Sequence, residues 1–328
     1  MVSPHHVKKG FIIAGPTASG KSALAMDIAH RVNGAIINAD SMQLYQHLSI
    51  LAAQPSDDDK RKIPHHLYGF LPPQQQWGAA AWAEKAAQTA RDCWQIEKIP
   101  VVVGGTGFYL AALIHGLASI PDVPAAIREL ATKEAAEKGL AHIYQHITHF
   151  DPSLIGRFPP QDRQRIIRAY EVLLATGQSI SSFWQQSQKF LAQQFLDSDS
   201  SWTLIILLPE KTTLHEAAAN RFQKMLAQGA MVEMAQLMAL APEDDWPIWR
   251  ILGAKELKAL YKGQITAASA AEETLLKTRQ YIKRQLTWFR HQLHPDTLPA
   301  NLHGCHAIKM EYHANKNDFF RIIFDNWA

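Results

Sequence analysis

The residues Gly15-Pro16-Thr17-Ala18-Ser19-Gly20-Lys21-Ser22 match the pattern G-x-x-x-x-G-K-[ST], which is typical of a loop that wraps phosphate groups. An apolar run at residues 10–14 precedes this loop, and a helical pattern with apolar residues at Leu24, Ile28 and Val32 follows it. Glycines let the backbone amides of such a loop approach phosphate oxygens closely, and the following helix N-terminus favours an anion. We call residues 15–22 the phosphate cradle.

Strand and helix patterns alternate along the rest of the chain. Apolar runs at 35–38, 101–103 and 203–208 predict buried strands, and residues 79–97 predict a long helix. This alternation predicts an α/β fold, a P-loop NTPase-like parallel sheet flanked by helices. Residues 119–198 show helical stretches without a convincing strand, which predicts an inserted small all-helical domain. We therefore expect 1–118 and 199–328 to form the core, the second part with basic C-terminal helices, although the tail beyond Pro295 has no clear pattern.

Composition limits the class of protein. With 328 residues, 47% of them apolar and 19% charged, the chain has enough apolar material for two cores. The first apolar stretch is too short for a secretory signal or a membrane span, so we expect a cytoplasmic protein without membrane contact. Cys93 and Cys305 form no zinc or disulfide pattern, and the pairs His5-His6 and His65-His66 lack a third metal ligand at a diagnostic spacing.

The net charge of +3 is modest, but the charges are unevenly distributed. The segment 277–290 holds five Lys or Arg residues and no acid, and three Arg residues lie within 163–168. Apolar residues at helical spacing accompany both groups, so one helix face can pack while the other meets a phosphate backbone. A solvated basic surface is the alternative interpretation.

Two side chains of the cradle predict how a phosphate ligand is held. The Lys21 ammonium would contact a terminal phosphate, and the Ser22 hydroxyl would bind magnesium or a phosphate oxygen. ATP is the ordinary ligand of such a loop, but the strand at 101–103 ends in Gly-Gly-Thr-Gly where many P-loop enzymes carry a magnesium-binding acid. The acid follows the preceding strand instead, at Asp40, where it suits a general base, a magnesium ligand or a cap on the next turn.

Five motifs follow one another along the chain: GPTASGKS at 15–22, INADSMQLY at 37–45, VVVGGTGFYL at 101–110, DRQRIIRAYEV at 162–172 and TRQYIKRQLTWFR at 278–290. In this order they resemble the motifs of the tRNA dimethylallyltransferase family, also called tRNA isopentenyltransferases. The resemblance extends from about residue 10 to residue 292. The combination is far more specific than the phosphate cradle alone.

The resemblance implies a reaction. In that family the cradle holds the diphosphate of dimethylallyl diphosphate, and the acceptor is the exocyclic amine of the adenosine 3′ of the anticodon in tRNA. Asp40 resembles the family's general base, and Thr106 resembles the residue that hydrogen-bonds the diphosphate near the breaking bond. We therefore expect Asp40 and Thr106 to be catalytic and magnesium to be the cofactor. The expected partners of a monomeric enzyme are dimethylallyl diphosphate and a tRNA anticodon stem-loop.

The resemblance also implies two sets of binding residues, and the insertion resembles the family's anticodon-stem-binding domain. The expected diphosphate-binding residues are the cradle positions Gly15, Thr17, Ala18, Ser19, Gly20, Lys21 and Ser22, together with Arg221. The expected tRNA-binding residues are Asp40, Ser41, Met42, Gln43, Thr106, Arg128, Gln164, Arg165, Ile166, Ile167 and Arg168. Ser22 is also the expected magnesium ligand.

Two segments depart from the family's pattern. Ala52-Ala53-Gln54-Pro55 stands where the family usually has Thr-Ala-Lys/Arg-Pro, and Ala254 stands where a Tyr is frequent. The first departure removes a hydroxyl and a charge near the expected site, which affects the expected rate or substrate affinity.

Three alternative functions are an isopentenyltransferase acting on free adenine nucleotides, a small-molecule kinase and a nucleotide-gated RNA-binding protein. The insertion and the Arg-rich segments favour a polynucleotide acceptor.

Overall fold

The computed structural model describes residues 7–118, 120–187, 195, 199–293, 302–308, 320–321 and 323–324. The chain divides into two compact units. One unit is Gly116–Leu191, and the other combines the segments Met1–His115 and Ala192–Ala328. We call the first the helical unit and the second the sheet unit. The helical unit lies in the region where the sequence predicts an insertion.

The sheet unit contains the strands β1 Lys8–Ala14, β2 Gly34–Asn38, β3 His65–His66, β4 Ile99–Gly104, β5 Ser200–Leu207 and β6 Leu302–Ile308. Their order in the sheet is β3-β2-β4-β1-β5-β6, and every neighbouring pair is parallel. β1, β2 and β4 are almost entirely buried, which explains why they are continuous apolar runs rather than alternating patterns. The predicted α/β fold with a P-loop-like parallel sheet is therefore confirmed.

The helices before the insertion are α1 Lys21–Arg31, α2 Asp57–Lys62, α3 Ala79–Gln95 and α4 Gly107–His115. α1 buries Leu24 and Ile28, which belong to the predicted apolar stripe, against the sheet. Trp82 of α3 donates its indole N–H to the Asn38 carbonyl at 2.9 Å and stacks on Tyr109 of α4 at 4.6 Å. These contacts hold the carboxyl end of β2, where the functional residues begin.

The helical unit contains α5 Ala125–Glu137, α6 Leu140–Phe150, α7 Arg163–Thr176 and α8 Ile180–Ser187. Its own core includes Ile143, Ile147 and Ile166. α7 begins after Asp162, whose carboxylate accepts from the Arg165 amide at 3.2 Å, and it ends at Gly177 in the left-handed conformation with φ 67°. The described helices of this unit thus pack around a separate core.

The helices after the insertion are α9 Lys211–Ala227, α10 Ala230–Met238, α11 Ala254–Tyr261 and α12 Ala267–Gln292. α9 and α12 pack together through Leu214, Ala218, Ile282 and Leu286, and Ala18 of the cradle packs against this cluster. The contact brings both helices to the phosphate cradle. Among the described helices, none has the length and hydropathy that crossing a membrane requires.

Four of these helices and strands were not predicted from the sequence: α2, α4, β3 and β6. α2 is the charged segment DDDKRK, which has no apolar periodicity and is held by a capping box between Ser56 and Asp59. β3 has only two residues, and β6 lies in the tail that showed no clear pattern. Predicted bounds also shift. The helix predicted at 79–97 ends at Gln95, and the strands predicted at 10–14, 101–103 and 203–208 are β1 at 8–14, β4 at 99–104 and β5 at 200–207. His5-His6 lies outside the described residues.

Candidate active site

The phosphate cradle joins the end of β1 to the start of α1. Ala18 and Gly20 both adopt left-handed backbone conformations, with φ 65° and 85°, and the Ser19 amide donates to the Pro16 carbonyl at 3.3 Å. These turns wrap the loop around the N-terminus of α1, where unpaired amides and the helix dipole favour an anion. A cavity of about 370 Å³ opens there and is lined by cradle residues that include Ser19 and Lys21. The loop therefore has the geometry of an anion site.

Two cations meet at this cavity, the buried Lys21 and the half-buried Arg221. The Lys21 ammonium donates to the Pro16 carbonyl at 3.1 Å, and burial lowers the pKa of Lys21 to about 8, although the Asp40 charge acts in the opposite direction. Arg221 of α9 donates from Nη2 to Thr17 Oγ1 at 2.6 Å, and burial also lowers the pKa of Arg221. Both side chains line the cavity. Desolvated positive charges at one cavity favour the binding of an anion.

Asp40 lies just beyond the end of β2. Its Oδ1 accepts from the Met42 amide at 3.0 Å and so caps a short 3₁₀ turn, Ser41–Gln43. The Asp40 amide donates to Asn38 Oδ1 at 2.8 Å, and Asn38 Nδ2 donates to the Asp40 carbonyl at 3.0 Å and to the Leu67 carbonyl at 2.9 Å. Asp40 therefore caps the turn, one of the roles that the sequence allows, and uses only Oδ1 to do so. Among the described residues, Asp40 Oδ2 has no hydrogen-bond donor.

Thr106 follows the Gly104-Gly105 turn at the end of β4. A Cβ at Gly104 would lie 2.0 Å from the Ala39 carbonyl oxygen, so only glycine permits this approach of β4 to the residue before Asp40. Thr106 Oγ1 then accepts from the Ser41 amide at 2.9 Å and donates to Ser41 Oγ at 3.1 Å. The structure thus places Thr106 against the segment that carries Asp40.

Comparison with known proteins identifies the family. The family model described as IPP transferase matches residues 43–292, and the isopentenyl transferase model matches residues 8–65. A relative from Rhizobium etli, named tRNA dimethylallyltransferase, is 40% identical over 287 residues, which are 88% of this chain and 95% of the relative. The chain belongs to the tRNA dimethylallyltransferase family.

Other relatives agree with this membership. A tRNA dimethylallyltransferase from Chelativorans sp. is 39% identical over 290 residues and covers 88% of this chain and 98% of its own. A solved tRNA isopentenylpyrophosphate transferase from Bacillus halodurans is 26% identical with a TM-score of 0.62, covering 92% of this chain and 90% of its own. A eukaryotic dimethylallyltransferase acting on tRNA, 24% identical with a TM-score of 0.79, covers 98% of this chain and 79% of its own and shares the fold. The protein is therefore a prenyl transferase and not a kinase.

The cradle of this tRNA dimethylallyltransferase family member fits a diphosphate. Ser19 Oγ is buried and has no hydrogen-bond partner, so an unused donor lies at the wall of the cavity. The Ser22 hydroxyl is exposed in the first turn of α1 and lines the same cavity. The described residues contain no cluster of three or more His, Cys, Asp or Glu side chains that would hold a metal. A single hydroxyl fits magnesium, which is usually held by substrate phosphates and water rather than by a protein cage.

Gln285 is a site residue of this tRNA dimethylallyltransferase fold that sequence analysis missed. It lies on α12, its Oε1 accepts from the Thr17 amide at 2.9 Å, and its Nε2 donates to the Gly105 carbonyl at 2.7 Å. The Thr17 amide, expected to bind diphosphate, is thus engaged within the protein, and the Thr17 hydroxyl accepts from Arg221. Asn38 was missed as well. The sequence held a signal for each: Asn38 is a polar residue within an apolar strand, and Gln285 lies beside the apolar stripe of a helix.

The expected tRNA-binding residues beside Asp40 also make contacts within the protein. Ser41, Met42 and Gln43 are half-buried in the 3₁₀ turn, and Gln43 Nε2 donates to the Ala52 and Ala53 carbonyls at 3.0 and 2.7 Å. Gln43 therefore holds the segment that departs from the family's pattern, although its Oε1 accepts no hydrogen bond among the described residues. Gln54 in that segment donates to the Tyr45 carbonyl at 2.7 Å.

The remaining expected tRNA-binding residues lie in the helical unit. Ile166 is fully buried in its core, so its side chain anchors α7 rather than facing solvent. The exposed or half-buried members are Arg128, Gln164, Arg165, Ile167 and Arg168. Each of the three arginines forms an ion pair within the unit. Arg128 pairs with Asp122 at 2.8 Å, Arg165 with Asp162 at 3.4 Å and Arg168 with Glu171 at 3.0 Å.

Proposed function

We propose that the protein transfers the dimethylallyl group of dimethylallyl diphosphate to the exocyclic amine of the adenosine immediately 3′ of the anticodon in tRNA, with release of diphosphate. One observation carries this proposal: Asp40 and Thr106 lie together in the unit whose cradle cavity is lined by Lys21 and Arg221. The relatives named tRNA dimethylallyltransferase support the choice of donor group and acceptor.

The acceptor amine is a poor nucleophile because its lone pair is delocalised into the purine ring. A carboxylate within hydrogen-bond reach orients the amine and takes its proton as the nitrogen–carbon bond forms. The Met42 amide fixes Oδ1 of Asp40, while Oδ2 has no donor among the described residues. We therefore assign Asp40 as the general base, acting through Oδ2.

The bond that breaks joins the allylic carbon to a diphosphate oxygen, and its electron pair leaves with the diphosphate. Negative charge on the leaving group grows during this step, so Lys21, Arg221 and the cradle amides stabilise the transition state more than the ground state. We assign Thr106 to the oxygen at which the bond breaks. Its hydroxyl donates to Ser41 Oγ in this structure, and a hydroxyl proton rotates to suit a new acceptor.

Magnesium is the proposed cofactor. Ser22 would hold the ion together with diphosphate oxygens, and the ion would neutralise part of the leaving group's charge. We also propose that the enzyme acts as a monomer on cytoplasmic tRNA.

The acceptor base must leave its stack to reach the site, as in other enzymes that modify bases. We propose that the helical unit binds the anticodon stem, because α7 presents Arg165 and Arg168 from a helix whose other face is anchored by Ile166. Gln164, Ile167 and Arg128 complete this surface. Ser41, Met42 and Gln43 are proposed to contact the target nucleotide beside Asp40.

The test is an incubation of the protein with magnesium, labelled dimethylallyl diphosphate and one acceptor: unmodified tRNA, AMP or ATP. Label should appear on tRNA alone, with one diphosphate released per product. A tRNA with guanosine in place of the adenosine 3′ of the anticodon is the matched control and should stay unlabelled. Labelled AMP would identify the free-nucleotide enzyme instead, and release of ADP would contradict prenyl transfer.

Lys21→Met tests the assignment of the phosphate cradle as the binding site of dimethylallyl diphosphate. Loss of the buried ammonium should weaken binding of dimethylallyl diphosphate about 10- to 100-fold, because a hydrogen bond to a charged group contributes about 1.5–3 kcal/mol. The affinity for tRNA should stay close to that of the parent. Lys262→Met, which removes an exposed lysine just after α11, is the control. Unchanged donor affinity in Lys21→Met, measured by calorimetry, would show that the cradle does not bind the diphosphate.

A further inference from the structure

α12 packs closely against the turn at the end of β4. Gln285 donates from Nε2 to the Gly105 carbonyl, and a Cβ at Gly105 would lie 2.6 Å from that nitrogen, so the bond requires glycine. Trp288 packs so tightly on Gly107 that a Cβ there would lie 2.3 Å from the ring. The Tyr281 side chain, one helical turn before Gln285, lies near Thr106. One face of α12 therefore contacts the turn at Gly105, at Thr106 and at Gly107.

The other end of the Gln285 amide reaches the phosphate cradle. Its Oε1 accepts from the Thr17 amide at 2.9 Å, and Thr17 Oγ1 in turn accepts from Arg221. Gln285 itself is only 5% exposed. A single buried amide group thus connects the cradle to the turn that carries Thr106, and no other described side chain hydrogen-bonds both segments.

The chemistry of this bridge requires a primary amide. Gln offers one acceptor and one donor group at the required length, whereas Leu offers neither and an ionised Glu offers acceptors alone. The cradle is the proposed site of the leaving group. Thr106, assigned to the oxygen at which the bond breaks, also lies against the segment that carries Asp40, the proposed base for the acceptor amine. The distance between the two sides decides whether the amine and the allylic carbon are aligned for attack.

We propose that Gln285 is a positioning residue for dimethylallyl transfer, which fixes the separation between the phosphate cradle and the Thr106 turn. The proposal rests on the proposed function, because the separation matters for a reaction that joins the two sides. Gln285 contacts neither substrate in this assignment. Its effect is on the rate of the bound complex rather than on the binding of either substrate.

The first test is Gln285→Leu, which keeps the side-chain volume and removes both hydrogen bonds. The single-turnover rate at saturating substrates should fall about 10- to 100-fold, the size expected for a displacement of about 1 Å. The Kd of inorganic diphosphate and the Kd of tRNA should each change by less than about threefold, because Lys21 and Arg221 still line the cavity and α7 is unaltered. Gln236→Leu, at an exposed position of α10, is the matched control and should leave all three quantities unchanged.

The second test is Gln285→Glu, whose defect should depend on pH. The ionised carboxyl can accept from Thr17 but cannot donate to Gly105, whereas the protonated carboxyl has one donor and one acceptor and so replaces the amide. The transfer rate of Gln285→Glu relative to the parent should therefore rise as the pH falls from about 8 to about 5.5. Asp40 on the far side of Gly105 favours protonation of the introduced carboxyl, and Arg221 beyond Thr17 opposes it. Gln285→Leu should show no such rise.

Each result bears on the proposal. A normal rate in Gln285→Leu with only a lower melting temperature would reduce Gln285 to a packing role. An equal loss of diphosphate affinity and rate would make it a donor-binding residue, and a pH-independent ratio for Gln285→Glu would exclude the bridging hydrogen bond. If Gln285→Leu does not fold, the pH dependence of Gln285→Glu decides alone. Failure of the proposed function shows separately, as absence of product from the parent, and would overturn both proposals.

Discussion

The residues of the candidate site are held in place by the protein before any substrate binds. Asn38 binds the backbone of Asp40 at both its amide and its carbonyl, and the Met42 amide binds Oδ1 of the same residue. Trp82 in turn donates to the Asn38 carbonyl. Groups that are already oriented need not reorganise during the reaction, which is the main source of electrostatic stabilisation in enzymes.

Asp40→Asn tests the chemistry at this scale. Asn retains an oxygen that can accept from the Met42 amide, so the 3₁₀ turn should persist, but it cannot take a proton at neutral pH. Single-turnover transfer should fall by about 10²–10⁴, the usual contribution of a general base. The affinities for dimethylallyl diphosphate and tRNA should remain within a few-fold of the parent.

Two outcomes would contradict the base assignment. Retention of most activity in Asp40→Asn would leave Asp40 as an orienting group alone. Recovery of activity when magnesium is raised would instead identify Asp40 as a metal ligand. A magnesium titration of parent and variant in the same assay separates these explanations.

At the scale of elements, α7 combines packing and charge through the helical period. Ile166 lies in the core, while Arg165 is exposed and Arg168 is half-buried and pairs with Glu171 at 3.0 Å. Each guanidinium has an acidic partner within one helical turn. The more exposed of these pairs, Arg165 with Asp162, stabilises the helix only slightly, so an RNA phosphate can replace that carboxylate at small cost.

The salt dependence of tRNA binding tests whether α7 contacts RNA phosphates. Each phosphate contact contributes about 0.9 to the slope of log K against log salt on a duplex, so Arg165→Ala with Arg168→Ala should reduce the slope by about 1.8. The matched control removes two positive charges from the same unit, Lys133→Ala in α5 with Lys138→Ala directly after it, and should change the slope much less. Equal slopes for the α7 variant and the parent would show that α7 is not the RNA-binding surface.

The junction between α6 and α8 depends on one carboxylate. Asp151 accepts from the Ser153 amide at 3.0 Å and from the hydroxyls of Ser179 and Ser181. Burial alone would raise the pKa of Asp151, but these hydrogen bonds outweigh it and lower the pKa to about 2. The carboxylate is therefore a stabilising group of the helical unit when it is ionised.

Asp151→Ala should lower the free energy of unfolding of the helical unit by about 1–3 kcal/mol at neutral pH, from the lost cap and charged hydrogen bonds. Because the folded pKa is below the unfolded one, the stabilisation is present above about pH 4 and is lost as the pH falls toward about 2. Urea denaturation at several pH values measures the difference. Glu137→Ala, which breaks an exposed ion pair with Lys133, is the control and should have an effect close to zero. A difference that does not shrink on acidification would contradict this account.

At the scale of the whole molecule, the sheet order places three loops side by side. β2, β4 and β1 are neighbours and run parallel, so their carboxyl ends lie along one edge of the sheet. Asp40 follows β2, Thr106 follows β4 and the phosphate cradle follows β1. Ligands of open parallel sheets bind at this edge, since all the loops that follow the strands lie there.

Ligand binding should therefore stabilise the two units unequally. Dimethylallyl diphosphate at about 100 times its Kd should stabilise the folded sheet unit by about 2.7 kcal/mol, because it binds the folded state alone. Hydrogen exchange should show increased protection at residues 15–22 and 104–107, and no increase at 163–176. Lys21→Met should show a smaller increase at the same ligand concentration, because 10- to 100-fold weaker binding leaves a stabilisation of only about 0.4–1.4 kcal/mol. Protection of α7 by the donor alone would contradict its assignment to RNA binding.

The sequence by itself determined the elements of the site. The cradle, the apolar strands and the helical insertion were predicted because each depends on residues close together in sequence, through periodicity and glycine spacing. Asp40 and Thr106 were found because each lies within a few residues of the end of a predicted strand. Their roles, however, came from the resemblance of the motifs, since a carboxylate at that place also suits a cap or a metal ligand.

The tertiary structure alone decided how these elements are connected. Gln285 meets Thr17 and Gly105 across 268 and 180 residues, and no local pattern encodes such a pairing. The same reason explains β6, which is a strand because β5 offers it an edge to pair with. Propensity and periodicity act over a few residues, whereas a buried hydrogen bond or a strand pair depends on which segments the completed fold brings together.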